Sequence, residues 1–233
     1  ALYLIPVGIS DAPLDSVLPQ LNREIISGLR HFIVENVRTA RRFLRRLIPD
    51  FDIDGSVFYE LNGHTDLSQV ASFLEPLRQG HPMGVMSEAG CPAVADPGAL
   101  PVSIAQREGF RVVPLVGPSS ILLALMASGF NGQGFSFHGY LPIDEAARAK
   151  KVRELESRSA KDNMTQIFIE TPYRNNRLVQ FLSRTLRPDT LLCVAVDISD
   201  PDKESILTMP AKKWKDRKPD YDKRPAIFLI YSR

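Results

Sequence analysis

The stretch Met86-Ser87-Glu88-Ala89-Gly90-Cys91-Pro92-Ala93-Val94-Ala95-Asp96-Pro97-Gly98 follows the apolar run Met83 to Met86, and the join between the two decides how the chain is read. The apolar run reads as the end of a strand. The loop after it holds two glycines, two prolines, two carboxylates and small alanines. Such a loop lets backbone approach a ligand closely, because glycine tolerates unusual φ/ψ and small side chains do not block access. Small-molecule sites in open α/β sheets form where strands end in loops of this kind. A connection that merely turns the chain has the same composition. A second loop of this type, Val116-Gly117-Pro118-Ser119-Ser120, favours a site.

Working outward, short apolar runs alternate with helical patterns. Strands are expected at Leu2–Val7, His31–Glu35, Val57–Leu61, Met83–Ser87 and Arg111–Leu115. Between them, helices are expected at Leu14–Leu29, Thr39–Leu47, Leu67–Arg78 and Leu100–Glu108. After the Gly117-Pro118 loop the pattern gives helix at Ile121–Ser128, strand at Phe135–Tyr140, helix at Glu145–Arg158 and strand at Met164–Glu170. Helix at Tyr173–Leu186 and strands at Leu191–Asp197, Ser205–Met209 and Ala226–Tyr231 complete it. Strand, helix, strand in this order argues for α/β sheets with helices covering both faces. A boundary near Leu115–Val116 gives two α/β domains, residues 1–115 and 116–233.

With 233 residues, 44% hydrophobic and 24% charged, the chain has the composition of an ordinary soluble protein able to bury a large core. Its 29 Lys and Arg against 27 Asp and Glu leave a formal charge of +2, too weak to announce a nucleic-acid binder by net charge. Basic residues cluster locally, at Arg38–Arg46 and Lys212–Lys218; a solvated face is the plainer reading of either, with an RNA contact the alternative for the first. Two cysteines a hundred positions apart, with four scattered histidines, give neither a disulfide framework nor metal-ligand spacing. The start Ala1–Pro6 lacks the form of a signal peptide and no run reaches the length of a membrane span, so a cytoplasmic location is expected.

No G-x-G-x-x-G follows the first strand, and neither a P-loop nor H-E-x-x-H occurs. What remains is a set of strand ends lined by backbone amides, small hydroxyls and a few carboxylates. Such a set suits a nucleoside bearing an amino-acid tail. Glu88 and Asp96 also stand as a candidate acid and base, although eight positions of loop fix no separation.

Four motifs in order carry a resemblance: Ser87-Glu88-Ala89-Gly90-Cys91-Pro92 with Asp96-Pro97-Gly98; Gly117-Pro118-Ser119 with Ala127-Ser128-Gly129; Gly139-Tyr140-Leu141-Pro142; and Glu170-Thr171-Pro172-Tyr173-Arg174. Together the series resembles the tetrapyrrole methylase superfamily, and within it the branch that 2′-O-methylates small-subunit ribosomal RNA. The resemblance implies two α/β domains with S-adenosylmethionine in the cleft between them, the first domain on the acceptor side, and two copies paired as a homodimer. It also implies that Pro6, Ser87, Glu88, Ala89, Gly90, Cys91, Val94, Ser119, Ser120 and Glu170 face the cofactor, and that no metal takes part. The departures are Glu88 where the branch carries Asp, Cys91 where it carries Thr, Asn36-Val37-Arg38 in place of Asp-Thr-Arg, and Val7-Gly8-Ile9-Ser10-Asp11 in the first loop.

Methyl transfer to a ribose hydroxyl gains from a base that takes the proton as attack proceeds. Glu35, His64 and Glu170 are candidates, with Arg38 and Arg174 available to hold a phosphate or orient a carboxylate. A loop histidine capping the next helix is the plainer reading of His64; for Glu35, at a strand end, a salt bridge to Arg38 stands level with a role as base. Three functions are therefore in view: a methyltransferase acting on ribosomal RNA, one acting on a tetrapyrrole or other small molecule, and a cofactor-binding module without catalysis.

Overall fold

A computed structural model describes residues 1–232. The chain divides into two compact units, the first spanning Ala1–Ser119 and the second beginning at Ser120. No helix among the described residues is long and apolar enough to cross a membrane.

The first unit is built on strands β1 (Leu2–Ile5), β2 (His31–Val34), β3 (Val57–Glu60), β4 (Met83–Met86) and β5 (Val112–Pro114) in the order β3-β2-β4-β1-β5. Every pairing is parallel, with Ile5 and Val34 both in register with Met86. All five strands therefore end at one edge.

Helices α1 (Gln20–Ser27) and α2 (Val37–Leu47) pack on one face of this sheet, where Ile26, Phe43 and Leu44 meet Ile5, Phe32 and Val34. On the other face lie α3 (Val70–Phe73), α4 (Glu75–Arg78) and α5 (Ala99–Arg107), whose Val70, Leu77 and Ile104 meet Leu2, Ile33 and Val85. The chain leaves β2 toward β3 and leaves β4 in the opposite direction toward β5. Between β2 and β4 the connections diverge to opposite faces, the topological switch at which open α/β sheets form a crevice.

Local chemistry sets the helix limits. Asn36 caps α2 in extended conformation, its Oδ1 accepting the N–H groups of Arg38 (2.9 Å) and Thr39 (3.2 Å). This cap starts the helix two residues ahead of the expected Thr39. The apolar positions Ala40, Phe43, Leu44 and Leu47 recur at the spacing of one helical face, and all are buried.

Two expected helices are broken. Over Leu14–Leu29 the structure has a 3₁₀ turn at Leu14–Ser16 and then α1, because Pro19 lacks a donor and disfavours helical conformation at Leu18. Over Leu67–Arg78 there are three short pieces, a 3₁₀ turn at Leu67–Gln69 followed by α3 and α4, because Pro76 cannot extend the hydrogen-bond ladder.

The second unit holds α6 (Ser120–Ser128), β6 (Phe135–Tyr140), α7 (Glu145–Asp162), β7 (Thr165–Ile169), α8 (Asn175–Thr185), β8 (Leu191–Val196), β9 (Ser205–Pro210), α9 (Ala211–Trp214) and β10 (Ala226–Tyr231). Its sheet runs β6-β7-β10-β8-β9, with β6 and β7 parallel and the other pairings antiparallel. Phe168 and Phe228 stack at 6.1 Å in a core that α7 and α8 cover through Val152, Leu155, Leu178 and Leu182.

Helix α9 lies inside the Lys212–Lys218 cluster and is absent from the sequence reading. Its anchor is Trp214, fully buried, with Nε1 donating to the Leu192 carbonyl at 3.1 Å. The helix expected to end at Arg158 runs on to Asp162, where Asn163 closes it in left-handed conformation.

Replacing the α2 cap, Asn36→Ala, is expected to lower stability by about 1 kcal/mol. The check is a matching fall in the urea midpoint with an unchanged slope.

Candidate active site

The loops after β1, β4 and β5 meet at the carboxyl edge of the first unit's sheet. Val7 and Gly90 exchange two backbone hydrogen bonds (2.9 and 3.1 Å) in an isolated antiparallel bridge that ties the first loop to the second. Gly117 brings in the third, since a β-carbon there would lie 2.3 Å from Cβ and Cγ of Pro6. Only glycine permits that approach. The Cys91 thiol donates to the Pro118 carbonyl at 3.4 Å, and Asn22 of α1, itself buried, donates from Nδ2 to the Val116 carbonyl at 2.8 Å.

The long loop 87–98 is strained. Ala93 (φ 66°) and Ala95 (φ 62°) occupy the left-handed region, as does Gly90 (φ 71°). Each such alanine costs about 1–2 kcal/mol, a conformation that persists only where the surroundings impose it. Asp96 supplies that constraint, its Oδ1 accepting the N–H groups of Ala93 (2.9 Å) and Gly98 (2.7 Å). Its Oδ2 is buried without a hydrogen-bond partner. Burial pushes the Asp96 carboxyl up, against the opposing pull of the Gly98, Ala93 and Val94 amides.

At the switch between β2 and β4, Glu35 follows directly on β2 and accepts the Glu88 N–H through Oε1 at 3.3 Å. The Glu88 carboxylate in turn accepts the Thr39 hydroxyl of α2. Burial raises Glu35 above the ordinary glutamate value; the Glu88 amide opposes this, and the charges of Asp96 and Glu88 add to it. Glu88 and Asp96 form no hydrogen-bonded acid–base pair, because Asp96 is taken up by its own loop. Glu35 makes no salt bridge to Arg38 either, and Arg38 lies exposed in the first turn of α2.

His64 sits in the loop after β3, exposed, its N–H donating to Asn62 Oδ1 at 2.9 Å. Asn62 links that loop to the end of β2 through a bond to the Glu35 carbonyl (3.5 Å), and it also donates to the Glu60 carboxylate at the end of β3 (2.8 Å). Asp66, rather than His64, caps the 3₁₀ turn that follows.

The other residues named from the sequence fall as follows. Pro6 packs on Gly117, and the Ser87 hydroxyl donates to the Ala89 carbonyl at 3.2 Å. Ala89 and Val94 are exposed, while Gly90 is buried. Ser119 ends the first unit and Ser120 opens α6. In the second unit Glu170 is buried and engaged, its Oε1 accepting the Thr171 N–H (2.7 Å) and the Arg174 guanidinium (2.8 Å). Among the described residues no group of three or more His, Cys, Asp or Glu is placed to hold a metal ion. The sequence reading missed Asn22, Thr39 and the structural role of Asp96. Only Asp96 left a local signal, a carboxylate two residues before a glycine in a turn-rich loop.

Three similarities bear on this arrangement. The ribosomal RNA small subunit methyltransferase I of Vibrio cholerae is 31% identical over 173 residues, which are 74% of this chain and 56% of that protein. Among solved structures, the methyltransferase CobJ superposes with a TM-score of 0.63 at 16% identity, covering 99% of this chain and 92% of the other. The uroporphyrin-III C-methyltransferase of Thermus thermophilus, crystallised with S-adenosyl homocysteine, gives 0.56 at 18% identity, covering 99% and 97%. At these identities the two solved structures show that this chain shares their fold. No protein-family model matches it. It spans 56% of the length of the Vibrio cholerae relative, and so about half the length of the curated relatives it matches.

Two substitutions probe the site's physics. With a folded value raised by burial, the contribution of Glu35 to stability is full below the ordinary 4.5 and is lost as the pH rises through the elevated value. Glu35→Gln is therefore expected to be more stable than the parent near neutral pH, with urea midpoints converging below pH 4.5. At Gly90 an added β-carbon would meet Ile9 and Pro118 at ordinary contact distances (3.4 and 3.6 Å), so φ is the obstacle. Gly90→Val is expected to cost at least about 1–2 kcal/mol through backbone strain, read from the same urea titrations.

Proposed function

We propose that this chain forms the catalytic portion of an S-adenosylmethionine-dependent methyltransferase that acts on a ribose 2′-hydroxyl of small-subunit ribosomal RNA. The observation that carries the reading is the junction of the loops after β1, β4 and β5, closed by the Gly117–Pro6 contact, beside a carboxylate at the β2–β4 switch. Support for the acceptor comes from the Vibrio cholerae relative named as a ribosomal RNA methyltransferase. A homodimer, implied by the resemblance, and a cytoplasmic location, expected from the sequence pattern, belong to the same reading.

The residues present fit the cofactor. Its ammonium group and sulfonium bring positive charge, and the loop edge offers Glu88 and the unpartnered Oδ2 of Asp96. Gly90 and the small side chains around it leave backbone open to contact. S-adenosylmethionine, when bound, supplies an activated methyl group. Pro6, the 87–94 segment and Ser119 of the first unit would hold it.

The protein's part is to orient the acceptor and receive a proton. We assign that step to Glu35. One oxygen is fixed by the Glu88 N–H while the other is left to accept from the hydroxyl. A carboxylate raised by burial is a stronger base than one in water, and general base catalysis contributes about 10²–10⁴-fold. Arg174 already neutralises Glu170, which suits Glu170 to a binding role over proton transfer.

The experiment is transfer of labelled methyl from S-adenosylmethionine to small ribosomal subunits from cells lacking this protein, with cofactor binding followed by calorimetry on the same sample. Label in ribosomal RNA is expected, with Glu35→Gln slowing transfer about 10²-fold at unchanged cofactor affinity. Tight cofactor binding with no label in RNA overturns the acceptor assignment, and the same preparation is then offered tetrapyrroles. No cofactor binding overturns the whole reading.

A further inference from the structure

Helix α2 carries five arginines and no acidic residue in eleven positions. Its apolar stripe faces the core, so the arginines crowd the outward side. Two of them have intramolecular tasks. Arg46 donates to the carbonyls of Asp11 (3.0 Å) and Ala12 (2.7 Å), and Arg41 lies over the Phe58 ring at 5.5 Å. Arg38, Arg42 and Arg45 are exposed and have no ion-pair partner among the described residues.

These three positions follow the spacing i, i+4, i+7 and form one row about 10 Å long. The row is electrostatically unfavourable by itself. Like charges face each other along the helix, and Arg38 sits in the first turn, where the helix dipole favours an anion. No ion pair among the described residues offsets that charge. An anionic partner would.

The row also has a direction. Its Arg38 end lies three residues beyond Glu35, at the β2–β4 switch, and its Arg45 end points away from that edge along the helix. An extended polyanion lying on the row would enter the site at one end. A strand stacked in helical form carries one charge per about 3.4 Å of its axis, so the row spans roughly three phosphates of such a strand, one for each arginine. Guanidinium groups match phosphate oxygens in bidentate geometry.

We propose that the outward face of α2, through Arg38, Arg42 and Arg45, docks the sugar–phosphate backbone of single-stranded RNA next to the acceptor nucleotide. This rests on the ribosomal RNA reading above and adds the surface that delivers the strand. Contacts of this kind position without reading sequence.

The test measures binding of a short labelled single-stranded RNA as a function of salt, for the parent chain and for Arg38→Gln, Arg42→Gln, Arg45→Gln combined. Counterion release gives about 0.7 in the slope of log K against log salt for each phosphate neutralised on a single strand. The triple variant is expected to flatten the slope by about 2, equally for RNAs of different sequence, and single Arg42→Gln by about 0.7. A control that removes the same charge elsewhere, Lys213→Gln, Lys215→Gln, Lys218→Gln, is expected to leave the slope unchanged. An unchanged slope in the triple variant, or an equal loss in the control, overturns the proposal. So does a polyglutamate that binds the parent as tightly as RNA does. Methyl transfer to ribosomal subunits by the parent is followed in parallel: missing label removes the methyltransferase reading, whereas label with an unaltered slope in the triple variant removes only the docking face.

Discussion

The two backbone hydrogen bonds between Val7 and Gly90 hold the first unit's edge together. Beyond the parallel pairing of β1 with β4, they bind the two following loops to each other in antiparallel sense. With that bridge in place, the left-handed residues of the 87–98 loop have a fixed frame. Asp96 then closes the loop with two amides, and the Gly117–Pro6 contact adds the third connection. The pieces are interdependent because hydrogen bonds between loops are short and directional, whereas their side chains are too small to wedge one another apart.

Charge follows from the same geometry. Parallel strands deliver Glu35 and the Glu88 segment to the same side of the sheet, so two carboxylates share a partly dry edge. Thr39 and the Glu88 amide each quench part of that negative charge. Burial, and to a lesser degree the remaining charge of Asp96 and Glu88, raises the proton affinity of Glu35, and this is the property the proposed chemistry uses. One turn further along α2 the sign reverses, from acidic edge to arginine row, within the length of a single helix.

Much of the fold was legible because apolar β-branched runs bounded by turn residues mark strands well. The runs at Phe135–Tyr140 and Ala226–Tyr231 have the limits that the pattern gives. Helical periodicity was less reliable where it continued across a proline, as at Pro19 and Pro76, since spacing of apolar residues does not register a missing donor. Helix α9 was hidden because its lysines outnumber its one anchoring tryptophan. The antiparallel pairings of the second unit were invisible for another reason: strand direction depends on the path of the connection. Within the site, Gly90, Gly117 and Pro118 announced close backbone approach. Asn22 did not announce itself, since its partner Val116 lies 94 positions away and no local pattern links them.

The parallel sheet also sets the order in which the first unit assembles. Strand β1 is made first, yet its partners are β4 and β5, and Leu2 pairs with Met83 on one side and Val112 on the other. The amino-terminal strand must wait until nearly the whole unit has been synthesised, and closing such long loops precedes any gain from pairing. In the second unit β8 and β9 are neighbours in both sequence and space, so that sheet has a local hairpin from which to grow. On the ribosome, β1 therefore spends most of the unit's synthesis as an unpaired apolar strand, the stage at which chaperone contact and aggregation compete with folding.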